Sequence, residues 1–152
     1  MIQAPLMDST FSLPQVKTSQ QLGALGERIV LESLAKAGYQ ARPGERKRGE
    51  HFDVWAKHLQ TGEILCLEVK MARPAKDRKY RFTLWKAGCT DHRHSDYVIL
   101  LALTHSAFLS AFVVPTIILA NQHQAVITSH PLKYAGKLAQ YRQSLSRLEF
   151  VQ

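Results

Sequence analysis

The alternation of apolar and polar residues changes period along the chain, and the changes mark its elements. At 100° per residue, Leu22, Ile29, Val30, Leu34 and Ala37 fall on one wide stripe, with Arg28, Glu32 and Lys36 opposite. Thr18 and Gln21 have the spacing of a capping box, and Gly38 is a stop signal, so the pattern predicts a helix from about residue 18 to 37. Two residues break the period. Leu25 falls on the polar side, and Glu27 lies between Leu34 and Leu31 on the apolar half. A carboxylate there needs a cation or water, because a bare buried one is very costly.

Beyond Gly38 the period shortens. Tyr39 to Arg42 reads as a short strand, and residues 43 to 51 as a charged loop. Phe52 to Lys57 alternates at period two, with Phe52, Val54 and Ala56 on one face; Glu63 to Lys70 is a second strand, and Gln60 to Glu63 is a hairpin turn between them. Tyr80 to Trp85 is a further strand candidate. Asp96 to Leu103 is the continuous apolar run of a strand buried on both faces, and Ala111 to Val114 a strand ended by Pro115. Residues 117 to 128 fit either a strand or a short helix. From about Leu132, the residues Tyr134, Leu138, Tyr141, Leu145 and Leu148 recur at spacings of 4, 3, 4 and 3, which predicts a closing amphipathic helix. Residues 1 to 17 show no period and read as an N-terminal arm; residues 18 to 152 read as a single domain. The order of elements predicts an α/β fold, a central mixed β-sheet flanked by helices.

Composition narrows the class. The chain has 152 residues and a formal charge of +8. Its longest apolar run, Tyr97 to Leu103, is far short of the roughly 20 residues of a membrane span. The first residues lack the basic and apolar regions of a signal peptide. Two cysteines are too few for a disulfide scaffold, so the expectation is a soluble cytoplasmic protein. Of the 20 Lys and Arg residues, 13 fall between Arg42 and Arg93. Such crowding gives salt-dependent affinity for phosphate, and Tyr80, Phe82 and Trp85 interleave with the charges, so DNA is the expected partner. Arg46, Lys47, Arg48, Arg73, Lys76, Arg78, Lys79, Arg81 and Arg93 are the candidate DNA-binding residues; a solvated loop that only maintains solubility is the plainer reading. No RNP-like aromatic motif or GXXG loop marks an RNA-binding module.

Asp53, Glu68 and Lys70 change the picture from binding to chemistry. On a strand Glu68 and Lys70 project from one face, and the hairpin brings Asp53 to their neighbourhood. Paired carboxylates repel unless a cation sits between them. Mg²⁺ suits such a pair, and the Val69 carbonyl offers a further oxygen. Lys70 would then orient an attacking water or stabilise charge on phosphoryl oxygens. Glu27, projecting from the helix towards the sheet, is a candidate third acid. The plainer reading has Asp53 capping a strand, Glu68 and Lys70 as a surface pair, and Glu27 reaching solvent.

The motifs Gly26-Glu27, Phe52-Asp53-Val54 and Leu67-Glu68-Val69-Lys70 resemble the PD-(D/E)XK nucleases, the restriction-endonuclease-like superfamily, across roughly residues 20 to 148. In length and layout the chain is similar to the homing endonucleases of that fold and to archaeal-type Holliday junction resolvases. The resemblance implies a restriction-endonuclease-like core and a Mg²⁺-dependent DNA endonuclease, with Mn²⁺ able to substitute. It implies metal ligation by Asp53 and Glu68, beside the Val69 carbonyl read from the strand, with a catalytic Lys70 and Glu27 as the helix acid. Phe52 stands where the motif often has Pro, and no downstream polar helix residue matches. A homing or restriction-like enzyme would cut a specific duplex site, and a resolvase would read branched shape. Either needs paired active sites, hence a homodimer or higher symmetric oligomer. A non-catalytic DNA-binding protein of nuclease-like fold is the alternative outside enzymes. A second cluster, Cys89 to His94 with Cys66, offers soft ligands for zinc but matches no common spacing. It also reads as a polar turn, or as a DNA contact through His92, Arg93 or His94.

Overall fold

The computed structural model describes residues 18–44, 52–84, 95–105, 109–128 and 130–150. The arm at 1–17, the basic residues Arg46, Lys47, Arg48 and Arg93, and the cluster from Cys89 to His94 lie outside the described residues.

Helix α1 spans Ser19–Lys36 and begins with the expected capping box. Thr18 Oγ1 accepts from the Gln21 N–H at 3.1 Å, and Gln21 Oε1 accepts from the Thr18 N–H at 3.2 Å. Gly38 follows the helix at φ +92°, a conformation that L side chains rarely adopt, and turns the chain into β1. The buried residues are Leu25, Gly26, Ile29, Val30, Ser33 and Leu34, so Leu25 is core and not a misfit. The contact is centred on two small residues, Gly26 and Ser33, which let the helix come close to the sheet. A Cβ on Gly26 would lie 3.2 Å from Met71 Cβ. Ser33 satisfies its hydroxyl on the Ile29 carbonyl at 2.8 Å. The buried arc therefore widens to Leu25 on one flank and Leu34 on the other, and Glu27 sits half-buried at its rim.

Among the described residues eight strands follow: β1 (Tyr39–Pro43), β2 (Val54–His58), β3 (Ile64–Ala72), β4 (Tyr80–Thr83), β5 (Tyr97–Leu103), β6 (Leu109–Pro115), β7 (Gln124–Ile127) and β8 (Arg142–Gln143). Six form a sheet in the order β1-β2-β3-β5-β6-β8. Only the β3–β5 pair is parallel, in register Leu67↔Tyr97, so the sheet is mixed. The hairpin between β2 and β3 turns on Gly62 at φ +77°, with the His58 N–H donating to the Glu63 carbonyl at 2.8 Å. Every residue of β5 is buried, as its unbroken apolar run requires.

The two faces of the sheet are covered differently. On one, α1 packs over Val54, Leu65, Leu67, Val69, Ile99, Leu101 and Val113. On the other, β4 and β7 pair as a separate antiparallel ribbon over Val98, Leu100, Phe112 and Val114. Residues 117 to 128 resolve into both alternatives: a short helix α2 (Thr116–Leu119), which buries Leu119, and then β7.

The expected closing helix is absent. Residues 131–150 form turns, a 3-10 turn at Ala139–Tyr141, β8, and a second 3-10 turn at Leu145–Arg147. Four of the five seam residues are buried, but on opposite faces: Tyr134 and Leu138 join the β4–β7 side, with Tyr141 partly buried there, and Leu145 and Leu148 join the α1 side. One helical seam cannot face both ways, and the chain instead crosses the sheet edge through β8. Tyr134 also folds over Gly136, where a side chain would collide with its ring. The sheet is thus flanked by the long α1 on one face and by the β4–β7 ribbon with the short α2 on the other.

Candidate active site

The site grows from an irregularity where β2 begins. Val54 pairs with Leu67, yet the Asp53 N–H also ends on the Leu67 carbonyl, at 2.9 Å. The Asp53 carbonyl turns the other way and accepts from the Gly44 N–H at 2.8 Å. Two successive residues of one strand thus address a single residue of the other, the arrangement of a β-bulge. The bulge re-aims the Asp53 side chain into the sheet edge, where its Oδ2 accepts from the Val69 N–H at 2.9 Å. The carboxylate takes the ladder place that a β2 carbonyl would otherwise fill.

That bond also orients Val69. In an extended strand the N–H and C=O of one residue point to the same side, so the Val69 carbonyl shares the opening with Asp53. Glu68 and Lys70 project from the sheet face turned away from α1, because Leu67, Val69 and Met71 alternate towards it. Glu68 is 8% exposed, and Lys70 Nζ lies 3.7 Å from its Oε2. The structure therefore brings Asp53, Glu68, Val69 and Lys70 together. Glu27 belongs to the other layer. Its neighbour Gly26 packs on Met71, and among the described residues Glu27 does not join Asp53 and Glu68 in a group arranged to hold a metal.

The fold is similar to that of a bacterial homing endonuclease. This solved structure, I-Ssp6803I, matches with a TM-score of 0.62 over 84% of this chain and 88% of its own, at 14% identity. An identity that low carries likeness of fold alone. No family model matches the sequence, and no curated protein matches it.

The donor set decides what the opening suits. It offers oxygen only, from two carboxylates and one carbonyl. Among the described residues no group of three or more His, Cys, Asp or Glu side chains is arranged to hold a metal. Mg²⁺ is commonly held by one or two carboxylates with substrate phosphate completing the sphere, so the residues present fit that ion.

Sequence reading missed Gly44, which it placed in a charged loop. A Cβ there would run into the Phe52 carbonyl oxygen and lie 3.2 Å from Phe52 Cδ2, next to the bulge. Its only signal was its place opposite Asp53 once β1 and β2 are paired in register.

The described basic candidates, Arg73, Lys76, Arg78, Lys79 and Arg81, are all exposed on the segment that leaves the end of β3. Arg78 sits at φ +65°, unusual for a residue with a side chain, inside a turn closed by the Ala75 N–H donating to the Lys79 carbonyl at 2.9 Å. Arg81 is tied to Asp77 by a two-pronged ion pair. The Arg81 guanidinium first, and the Lys79 N–H second, hold the Asp77 carboxyl down at about 2. A lowered carboxyl contributes to the folded loop above the ordinary carboxylate range, and that contribution is lost as pH falls towards 2. NMR titration should give Asp77 a midpoint near 2 that moves up in Arg81→Ala. An unmoved midpoint would show that the pair is not what holds it. No helix among the described residues is long and apolar enough to cross a membrane.

Proposed function

We propose that the chain is a Mg²⁺-dependent DNA endonuclease of the PD-(D/E)XK type, cutting a specific duplex site as homing and restriction-like enzymes do. The observation that carries the reading is the Asp53 carboxylate fixed on the Val69 N–H beside Glu68 and Lys70, at a strand opening that offers oxygen ligands. The fold likeness to a homing endonuclease supports it.

Asp53, Glu68 and the Val69 carbonyl would hold the ion. Bound there, Mg²⁺ supplies Lewis-acid polarisation of a phosphoryl oxygen. Lys70, kept beside Glu68, orients the attacking water and places positive charge where negative charge develops on phosphorus. Glu27, in the helix layer, would act through water, on the ion or on the attacking water. Arg73, Lys76, Arg78 and Lys79, with Arg46, Lys47, Arg48 and Arg93, supply phosphate attraction around the site. Cutting both strands requires two such centres, hence a symmetric homo-oligomer acting in the cytoplasm.

A cleavage assay on plasmid, single-stranded and four-way-junction DNA, with and without Mg²⁺, tests the reading. Cutting of duplex plasmid that a chelator stops is the expected result. Preference for the four-way junction would move the protein to the resolvase reading. Tight binding without cleavage in Mg²⁺ or Mn²⁺ would leave a DNA-binding protein only.

Gly44→Ala adds a check on geometry. The new methyl displaces Phe52 and Asp53, so cleavage should fall by about 100-fold, the scale of a 1 Å misplacement, while circular dichroism stays native. Unchanged cleavage would show that the bulge does not position Asp53 for the reaction.

A further inference from the structure

The sheet face that carries Glu68 and Lys70 continues past the β4–β7 ribbon onto β1 and β2. Tyr39, Ala41, Val54 and Ala56 face α1, so register puts Gln40, Arg42, Trp55 and Lys57 on the other side, with Ile64 and Cys66 beside them on β3. Arg42 lies opposite Trp55, and Gln40 opposite Lys57. None of these residues belongs to the core under the β4–β7 ribbon. Gln40 and Lys57 are exposed, and Ile64 is 53% exposed. Of these six residues, two are cations and none is an acid.

We propose that the outer face of β1–β2 is a duplex DNA-binding surface that lies along the major groove, with Arg42 reading base edges and Lys57 holding a backbone phosphate. The inference takes its ligand from the nuclease reading above. Three observations point to it. The major groove exposes the base edges that a side chain can tell apart, and among the described residues β1 is the outermost strand of the sheet. Arg42 is set in place: its guanidinium lies 4.8 Å from the centre of the Trp55 ring, and its Nη1 donates to the Pro43 carbonyl at 3.0 Å. A guanidinium held in place loses little freedom when it makes a paired contact with a guanine edge, whereas the flexible stem of Lys57 suits a phosphate. The face is also continuous with the site, since Trp55 follows Asp53 by two residues on the same strand. Two residues of strand rise by about 7 Å, so Arg42 and Gln40 reach base pairs within roughly half a helical turn of the cut.

The test uses the full chain carrying Glu68→Ala, in chelator, so that binding is read without cleavage. Its probe is a pool of randomised DNA duplexes. Lys57→Ala should weaken binding equally for all sequences and reduce the slope of log affinity against log salt by about 1. Arg42→Lys should keep the slope and lose about tenfold in preference for the base pair it reads, because ammonium cannot reproduce the paired contact. Arg147→Ala, an exposed cation on the α1 side, should change neither. Wild-type slope and wild-type preference in folded Lys57→Ala and Arg42→Lys would overturn the proposal. So would an Arg147→Ala effect equal to that of Lys57→Ala, which would mark net charge alone. Failure of the nuclease reading looks different: the wild-type chain then cuts nothing, whatever these variants do to binding.

Discussion

Glu68→Ala and Lys70→Ala should each abolish cleavage, by about 1,000-fold or more, while leaving DNA affinity within about tenfold of the wild type. The two measurements separate because the proposed function gives phosphate attraction and cutting to different groups. Affinity would rest on the exposed cations of loops and strands. The chemistry would rest on a small arrangement in which Glu68, 8% exposed, lies beside the half-buried Lys70, with Asp53 fixed on the intervening Val69 N–H. Removing Glu68 takes away one of two carboxylates and leaves Lys70 without its neighbour. Removing Lys70 takes away the only cation that shares this face of β3 with Glu68 among the described residues. Lys70→Arg is a sharper probe, because it keeps the charge but replaces a compact ammonium with a wide planar group. It should recover binding fully and cleavage only in small part. Single-turnover cleavage and equilibrium binding on the same duplex check all three variants. Wild-type cutting by either alanine variant would remove the site from Asp53, Glu68 and Lys70.

The parts of this site that sequence made legible are those governed by local rules. The Thr18 and Gln21 capping box, the Gly62 hairpin, and the alternation that puts Glu68 and Lys70 on one face all follow from spacing over a few residues. What spacing cannot convey is how the chain departs from ideal strands and helices. The bulge at Asp53 turns the carboxylate into the plane of the sheet, and nothing in Phe52-Asp53-Val54 announces it. Gly44 matters only because Phe52 lies against it. Leu25 is buried because Gly26 and Ser33 are small, which shifts the centre of the helix contact towards them. Glu27 illustrates the same limit from the other side. Its off-period position was visible, but its place relative to the carboxylates depends on how α1 packs on β3, and that is a tertiary fact.

The C-terminal segment gives the clearest case, and Phe112→Ala should test it. Phe112 is fully buried on β6. Its ring meets Tyr134 edge-on at 6.1 Å between centres, and the Arg142 guanidinium lies 5.6 Å from it. Arg142 donates in turn from Nη2 to the Tyr134 carbonyl at 2.6 Å, which closes residues 134–142 over the ring. Truncating a buried Phe costs about 3–5 kcal/mol, and a domain of this size loses roughly 10 °C in melting temperature for that amount. Phe112→Leu fills most of the volume and should cost under about 1.5 kcal/mol. The pattern of the loss is more informative than its size. Tyr134 and Leu138 rest on the Phe112 face, and Leu145 and Leu148 rest on the α1 face. Hydrogen exchange in Phe112→Ala should therefore quicken from 134 to 142 and remain slow around Leu145, which is anchored independently. A continuous amphipathic helix would carry all five apolar residues on one seam and loosen as a unit. Uniform quickening from 134 to 148 would contradict a segment divided at β8, whereas a break near Ser144 is what burial on two opposite faces requires.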